Sequence, residues 1–292
     1  MIGPSKSKQI LILLSLLSYT FLFNHAFTST KKSPTTNTLT QKIHSTLNSY
    51  PHLSCGVYIK PNWSNNEINI NGNKSFPAAS LIKIPIAVVL LQEIDKGNIS
   101  WNTTLTLKKA DVVPGSGTLK TKKIGSKHRL KEVFRLMLTI SDNTATNMII
   151  DLLGGVNSCN KKISLLGLKN TKLSTYIYDL KGANQTTPYD MVIIMDKALE
   201  GNLLSNSSKR VLKNALLDVE NDSLIKKGLG KYTKFAHKTG TIGICVGDAG
   251  IIYLSFKKNI GISVIVKRPF NDLKGKEVIK KISNIVYKEL LP

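Results

Sequence analysis

The run Ser80-Leu-Ile-Lys-Ile-Pro-Ile-Ala-Val-Val-Leu-Leu91, preceded by Ala78-Ala79, carries a single charge in an otherwise apolar stretch. A segment apolar on every side is a stable helix only when it is buried all round, so the rest of the chain must wrap around it. Pro85 sets the register, because proline is tolerated only near a helix start, where its missing N–H leaves no bond unmade. Ser80 then sits at the helix N-terminus with Lys83 one turn on, on the same face. Burying an unpaired ammonium costs several kcal/mol. Lys83 therefore needs a route to water, as the snorkelling stem beside a serine cap, or else a partner and a task.

Spacing alone does not choose between these. Ser-x-x-Lys also occurs at Ser5/Lys8, Ser29/Lys32, Ser158/Lys161 and Ser255/Lys258, and Ser-Leu-Ile-Lys recurs at Ser223 to Lys226. Those pairs lie in polar or weakly apolar surroundings where a lysine is simply solvated. Only Ser80/Lys83 is embedded in an apolar run.

With 292 residues the chain can bury a substantial core, as one large domain or two small ones. Its net charge of +23 is almost all lysine, the arginines being Arg129, Arg135, Arg210 and Arg268. Scattered lysines among many Asn and Ile are a compositional bias; a nucleic-acid footprint would cluster and favour Arg, so no nucleic-acid partner is expected. Weak attraction to anionic envelope polymers or membranes follows from the charge. Lys6 and Lys8 precede the apolar run Ile10 to Phe23, the pattern of a secretory signal and short for a membrane span. Asn24-His25-Ala26 offers a small residue only at its last position, so a retained anchor is the alternative to cleavage. Residues 1–28 are thus assigned to a signal peptide or anchor and 29–292 to an exported domain that meets the membrane only through the N-terminal segment; Ser29 to Thr40 reads as a polar linker. Cys55, Cys159 and Cys245 show no metal-ligand spacing and are expected as apolar fillers, one disulfide being the alternative. No metal or cofactor is expected, and a monomer is.

Hydrophobic period divides the chain. Thr38 to Ser49 reads as a helix, followed by strands over Leu53 to Lys60 and Glu67 to Asn71. From Ser80 to about Lys226 the patterns are mostly helical, including Leu130 to Leu138, Thr144 to Leu153 before Gly154-Gly155, and Pro188 to Leu199. Strand patterns return over His237 to Val246, Ala249 to Phe256 and Ile260 to Val266, and an amphipathic helix over Lys276 to Leu291 closes the chain. This predicts an α/β (α+β) fold: an antiparallel sheet built from both chain ends and flanked by helices, an all-helical lobe over 80–226, and a cleft between lobe and sheet.

Three short motifs fall on those parts: Ser80-x-x-Lys83 at a helix start, Ser141-Asp142-Asn143 in a turn between helical patterns, and Lys238-Thr239-Gly240-Thr241 on the first strand after the helical block. In this order and placement the sequence resembles the class A β-lactamases and related penicillin-binding serine enzymes, from about Thr38 to Leu291. Ser141-Asp-Asn-Thr-Ala-Thr-Asn147 leading to Gly154-Gly155, the helix start Thr186-Thr187-Pro188, and Val266 to Asp272 belong to the same likeness.

A neutral serine is a poor nucleophile, so acyl transfer needs a base and a stabilised oxyanion. Lys83, desolvated and of lowered pKa, can take the Ser80 proton. The resemblance further implies an oxyanion hole from the backbone N–H groups of Ser80 and Thr241. It gives Ser141, held by Lys238, the task of passing a proton to the leaving nitrogen. Asn143 would hold the substrate's amide side chain and Lys83, and Lys238, Thr239 and Thr241 its carboxylate, with Gly240 between them. Asp142 reads as a structural cap in either case. Gly115-Ser-Gly117 lacks the lysine of a phosphate loop and reads as a cleft-edge turn. His237 is near in sequence, but no Gly-x-Ser-x-Gly elbow exists to support a Ser-His-Asp triad.

The likeness breaks at one place. The family's deacylating glutamate falls on Ile177 in the segment Ile177-Tyr-Asp-Leu-Lys181, in a loop about six residues shorter than usual, and no Glu lies between Glu132 and Glu200. Asp179 is the only nearby carboxylate, one methylene shorter and displaced by two positions, and is the candidate catalytic residue to take over that role. The implied activity is a serine β-lactam hydrolase of low or altered turnover; the alternatives are a D-alanyl-D-alanine carboxypeptidase acting on peptidoglycan stem peptides, and a penicillin-binding module that acylates without efficient release.

Overall fold

The computed structural model describes residues 36–254 and 257–290; the segment read as a signal or anchor lies outside them. The elements run α1 (Thr36–Asn48), β1 (Ser54–Pro61), β2 (Ile68–Ile70), β3 (Phe76–Pro77), a 3-10 turn (Ala79–Ile82), α2 (Lys83–Asp95), β4 (Thr104–Thr106) and β5 (Lys127–Arg129). Then come α3 (Leu130–Thr139), α4 (Asn143–Leu152), α5 (Gly155–Ser164), β6 (Gln185–Thr186), α6 (Pro188–Leu199), α7 (Asn206–Leu217) and α8 (Ile225–Gly228). The chain closes with β7 (Lys234–Ile242), β8 (Cys245–Tyr253), β9 (Asn259–Lys267) and α9 (Lys274–Leu290).

Strands from both ends make one antiparallel sheet in the order β2-β1-β9-β8-β7, as the period switches required. Alternation along each strand supplies two cores. On β8, Ala249 and Ile251 face the helical lobe, where α6 lies on the strand, and belong to the core that also holds α2, Leu130, Phe134 and Ile149. Val246 and Ile252 face the other way, against Leu39 and Ile43 of α1 and Val278, Ile279 and Ile282 of α9. Helix α2 lies in the lobe-side core with ten buried residues, Lys83 to Leu91 and Glu93, which is why its sequence is apolar all round.

Two details differ from the sequence expectation: the lobe is not all helical, since the short β4–β5 pair and β6 fall within 80–226, and one strand boundary moves. Strand β7 ends at Ile242 and β8 begins at Cys245, so the turn is Gly243-Ile244 rather than Gly247-Asp248. Gly247 is a packing position: it lies opposite Gly240, and a Cβ there would stand 3.2 Å from Leu81 Cδ1, Ile265 Cγ1 and the Val264 carbonyl oxygen. Ser255 and Phe256, read as part of the same strand, lie outside the described residues. Cys55, Cys159 and Cys245 are buried free thiols, each pushed up to about 12 by burial, in keeping with fillers.

Candidate active site

The 3-10 turn carries Ser80 to the mouth of α2. Ala79, immediately before it, has φ of 45°, a left-handed conformation that costs a non-glycine residue energy and is held here by its surroundings. Ser141 stands in the same region of conformational space, at φ 58°, in the turn between α3 and α4. Both serines are thus projected by strained backbone, a recurrent property of functional sites.

Asp142 fixes the second of these turns. Its carboxylate caps α4 through Ala145 N (2.9 Å) and also accepts from Thr118 N (2.7 Å) and Leu119 N (2.9 Å), tying the Gly115–Gly117 segment to the helix. A Cβ at Gly117 would come within 2.1 Å of the Asp142 carboxyl carbon, and one at Gly115 within 2.6 Å of Asn143 Nδ2. The glycines of the cleft edge are there for this close approach, and Asp142 is structural, as its sequence position suggested.

Lys83 is fully buried. Its Nζ lies 2.6 Å from the Ser141 carbonyl oxygen, 2.8 Å from Asn143 Oδ1 and 3.0 Å from Ser141 Oγ. Burial first, and then the neighbouring charge of Lys238, hold its pKa well below the usual lysine range, with Asp142 opposing. Two of its three neighbours are pure acceptors and the third is a hydroxyl. Nζ donates to all three; once it has lost a proton it can keep two of these bonds and accept from Ser141 Oγ–H through the third. The other end of the Asn143 amide donates to the Pro114 carbonyl oxygen at 3.0 Å, leaving one N–H for a ligand.

Strand β7 forms the opposite wall. Gly240 packs on the 3-10 turn so closely that a Cβ would be 3.1 Å from Ser80 N, Leu81 N and the Ala78 carbonyl oxygen. Glycine therefore lets the strand edge and the nucleophile's backbone lie side by side. Lys238 is fully buried, and burial lowers its pKa to about 8, with Asp248 opposing. Its Nζ donates to the Thr239 carbonyl oxygen at 2.9 Å. The expected grip of Lys238 on Ser141 is not formed; Lys83 makes that contact instead, because the Ser141 turn closes over the start of α2. His237 alternates to the other face, where Nδ1 pairs with Asp248 Oδ1 at 2.9 Å and the ring stacks on Phe235.

A cleft of about 280 Å³ brings Ser80, Ser141, Lys238, Thr239 and Thr241 together. Ser116 and the segment Val219-Glu220-Asn221 also line it. The latter three were not legible in the sequence; they follow α7 in a loop without a motif, and only their hydrogen-bonded attachment to the lobe, Glu220 N to the Thr139 carbonyl oxygen at 3.1 Å, brings them to the cleft.

The match to known proteins decides the assignment. A sequence model described as the β-lactamase enzyme family matches residues 38–290. The chain belongs to the β-lactamase enzyme family. It is a serine hydrolase of that type. β-Lactamase VEB-1 of Pseudomonas aeruginosa is 29% identical over 89% of this chain and 89% of its own length. Among solved structures, PBP-A is 39% identical, covering 86% of this chain and 95% of that one with a TM-score of 0.83. A leucine-to-glutamate variant of PBP-A has been solved as its acyl-enzyme complex with penicillin G, and it matches with a TM-score of 0.84. The TLA-1 extended-spectrum β-lactamase is 26% identical, covering 88% of this chain and 99% of that one, with a TM-score of 0.81.

The segment around Ile177 is a loop held by side chains that bond its backbone. Asn147 grips Ile177 from both sides, accepting from its N–H at 3.0 Å and donating to its carbonyl oxygen at 2.5 Å. The Ile177 side chain is buried in the lobe core. Asp179 accepts from Gly182 N (2.9 Å), Ala183 N (3.0 Å) and Asn184 N (2.7 Å), so its carboxylate is committed to the turn that follows.

Proposed function

We propose that this protein is an exported, monomeric class A-type serine hydrolase that is acylated by β-lactams at Ser80 and releases the product slowly. Residues 1–28 direct export and 29–292 form the hydrolase domain. Neutral Lys83 takes the Ser80 proton, directly or through the Ser141 hydroxyl it touches. The carbonyl carbon is attacked by Ser80 Oγ, and the oxyanion is met by the N–H groups of Ser80 and Thr241; one such donor is commonly worth ~3 kcal/mol in the transition state. Ser141 returns the proton to the departing nitrogen. Lys238, Thr239 and Thr241 bind the substrate carboxylate, and the remaining Asn143 N–H binds its amide carbonyl.

The observation that carries slow release is the loop: Ile177 is an apolar core residue and both Asp179 oxygens are taken by backbone N–H groups. Water that must hydrolyse the acyl-enzyme then lacks a carboxylate base, a loss of about 10²–10⁴ in rate. Asp179 accordingly acts as a turn residue. The higher identity with PBP-A than with VEB-1 or TLA-1 supports a second reading, in which the natural acyl donor is a D-alanyl-D-alanine stem peptide and β-lactams are its mimics. Intact mass spectrometry after mixing with a penicillin separates the steps: a full-mass adduct on Ser80 that persists for many minutes supports the proposal. Loss of the adduct within the mixing time, or labelling that survives Ser80→Ala, contradicts it.

A further inference from the structure

A second cavity, of about 650 Å³, lies beyond the catalytic cleft, lined from β3 by Pro77, from the loop before β6 by Lys181 and Gly182, and from the β7–β8 turn by Ile244. Its remaining wall includes Lys74, Lys267 and Arg268. Lys and Arg make up 41 of the chain's 292 residues, but four of the thirteen that line this cavity, with no Asp or Glu among them. The scattered basicity of the chain does not account for such density.

The three lysines are also uncompensated, while Arg268 has Asp272 nearby. Among the described residues Lys181 and Lys267 make no ion pair, and Lys74 Nζ reaches only the Ser54 hydroxyl, at 2.9 Å, and the Phe76 ring. Arg268 is nearly buried and donates to two backbone carbonyl oxygens, of Asp272 (2.8 Å) and Ile242 (3.3 Å). The nearest carboxylates are spoken for. Asp272 is taken by His52 (3.0 Å) and Lys274 N (2.8 Å), and Asp179 by the backbone of its own turn. Four like charges around one space repel one another, and an anion within it relieves that cost.

Position relative to the catalytic residues says which anion. Strand β7 is the free edge of the sheet, open to pairing with an extended peptide. A peptide whose terminal carboxylate meets Lys238 and Thr239, and whose scissile carbonyl meets Thr241, runs its acyl-donor side onward toward Ile244. Ile242 pairs with Cys245, so Ile244 stands at the tip of the β7–β8 turn, one to two strand rises, roughly 7 Å, beyond Thr241. Pro77, three residues before Ser80, closes the same wall, and Gly182 packs between Pro77 and Ile242, within contact of both.

We propose that this cavity is an extended subsite for an acidic peptide, binding side-chain carboxylates two to three residues upstream of the scissile bond through Lys181, Lys267 and Lys74. The proposal rests on the peptidase reading of the same site and adds the substrate's charge pattern to it.

The test uses two dye-labelled peptides, Glu-Glu-Ala-D-Ala-D-Ala and Gln-Gln-Ala-D-Ala-D-Ala, and the Ser80→Ala protein, so that binding is read without turnover. Fluorescence anisotropy should show the Glu peptide bound about tenfold more tightly, equivalent to two partly exposed ion pairs, with the gap narrowing as salt is raised. Adding Lys74→Gln, Lys181→Gln and Lys267→Gln together should abolish the gap while leaving the Gln peptide's affinity unchanged, which also shows that the fold is intact. Equal affinities for the two peptides, or a gap that survives the triple change, would overturn the proposal. Displacement of the Glu peptide by inorganic polyphosphate at lower concentration than by free Glu peptide would overturn it in favour of a phosphate-bearing polymer. Penicillin labelling of the unaltered enzyme reports separately: no adduct together with a preserved Glu preference would sink the catalytic reading and support the acidic subsite.

Discussion

Lys83 shows how far single residues can be read. Its burial followed from the apolar run around it, and its partner set, the Ser141 carbonyl and hydroxyl with the Asn143 amide, is what makes an internal lysine tolerable. Ser80, Lys83, Ser141, Asn143 and Lys238 were legible because each residue type sits in a motif placed on a predictable element. Glu220 and Asn221 were not, since nothing local distinguishes a loop residue that happens to face a cleft. If Lys83 is the base, Lys83→Met should slow adduct formation with a penicillin by about 10²–10⁴, while Ser80→Ala abolishes it. The adduct rate by mass spectrometry checks both. Lys238 carries a pH prediction. Burial lowers its pKa to about 8, so it is charged below that pH and neutral above it. The kcat/KM for carboxylate-bearing β-lactams should therefore fall as pH rises through about 8. The loss should appear mainly in KM, and kcat should fall at higher pH, because a bound carboxylate favours the ammonium. A flat kcat/KM profile between pH 7 and 9 would remove Lys238 from substrate binding.

Elements were read well where a period or a cap is strong. Pro188–Leu199 was found at both ends because Thr187 caps it, accepting from Asp190 N at 3.0 Å, with proline in the first turn. The β7–β8 turn was misplaced because glycine marks both turns and close packing, and Gly247 does the second. The loop around Ile177 could not be derived at all from periodicity; its shape depends on Asn147, Asp179 and Asn184, side chains that replace the missing ladder bonds. Two substitutions separate its structural and catalytic parts. Asp179→Asn should destabilise the protein by about 1–2 kcal/mol, a drop of a few degrees in Tm, through weakened bonds to three N–H groups, with the formation and lifetime of the penicillin adduct unchanged. Ile177→Glu should accelerate loss of the penicillin adduct by about 10²-fold by supplying a base. It should also lower Tm, because a carboxyl enters an apolar core. An adduct lifetime unaltered in a folded Ile177→Glu protein would mean that the deacylating water lies elsewhere.

At the scale of the molecule, the period switches sufficed to predict a sheet drawn from both ends of the chain with a helical lobe between, because an antiparallel sheet with short connections and a lobe of amphipathic helices leave few ways to bury both apolar faces. What they did not reveal is how the two cores communicate. The lobe-side core includes Ala236, Ala249, Ile251 and Ile265 of the sheet together with α2 and α6, and α6 lies on β1, β8 and β9, so the lobe's helices and this face of the sheet bury one another. The far core shares the same strands through the alternate residues, such as Val246, Ile252 and Val264. Two cores that share three strands should melt as one cooperative unit. The two tryptophans make this measurable. Trp101 packs edge-on against Phe134 in the lobe, with ring centroids 5.5 Å apart, and Trp63 lies under Lys258 at the end of the sheet that carries β1. In single-tryptophan proteins made by Trp63→Phe and Trp101→Phe, urea titrations followed by fluorescence should each give the midpoint that circular dichroism gives for the same protein. A Trp101 transition that precedes the loss of β-sheet signal would instead make the lobe a separate folding unit, and the catalytic cleft a boundary that opens before the sheet does.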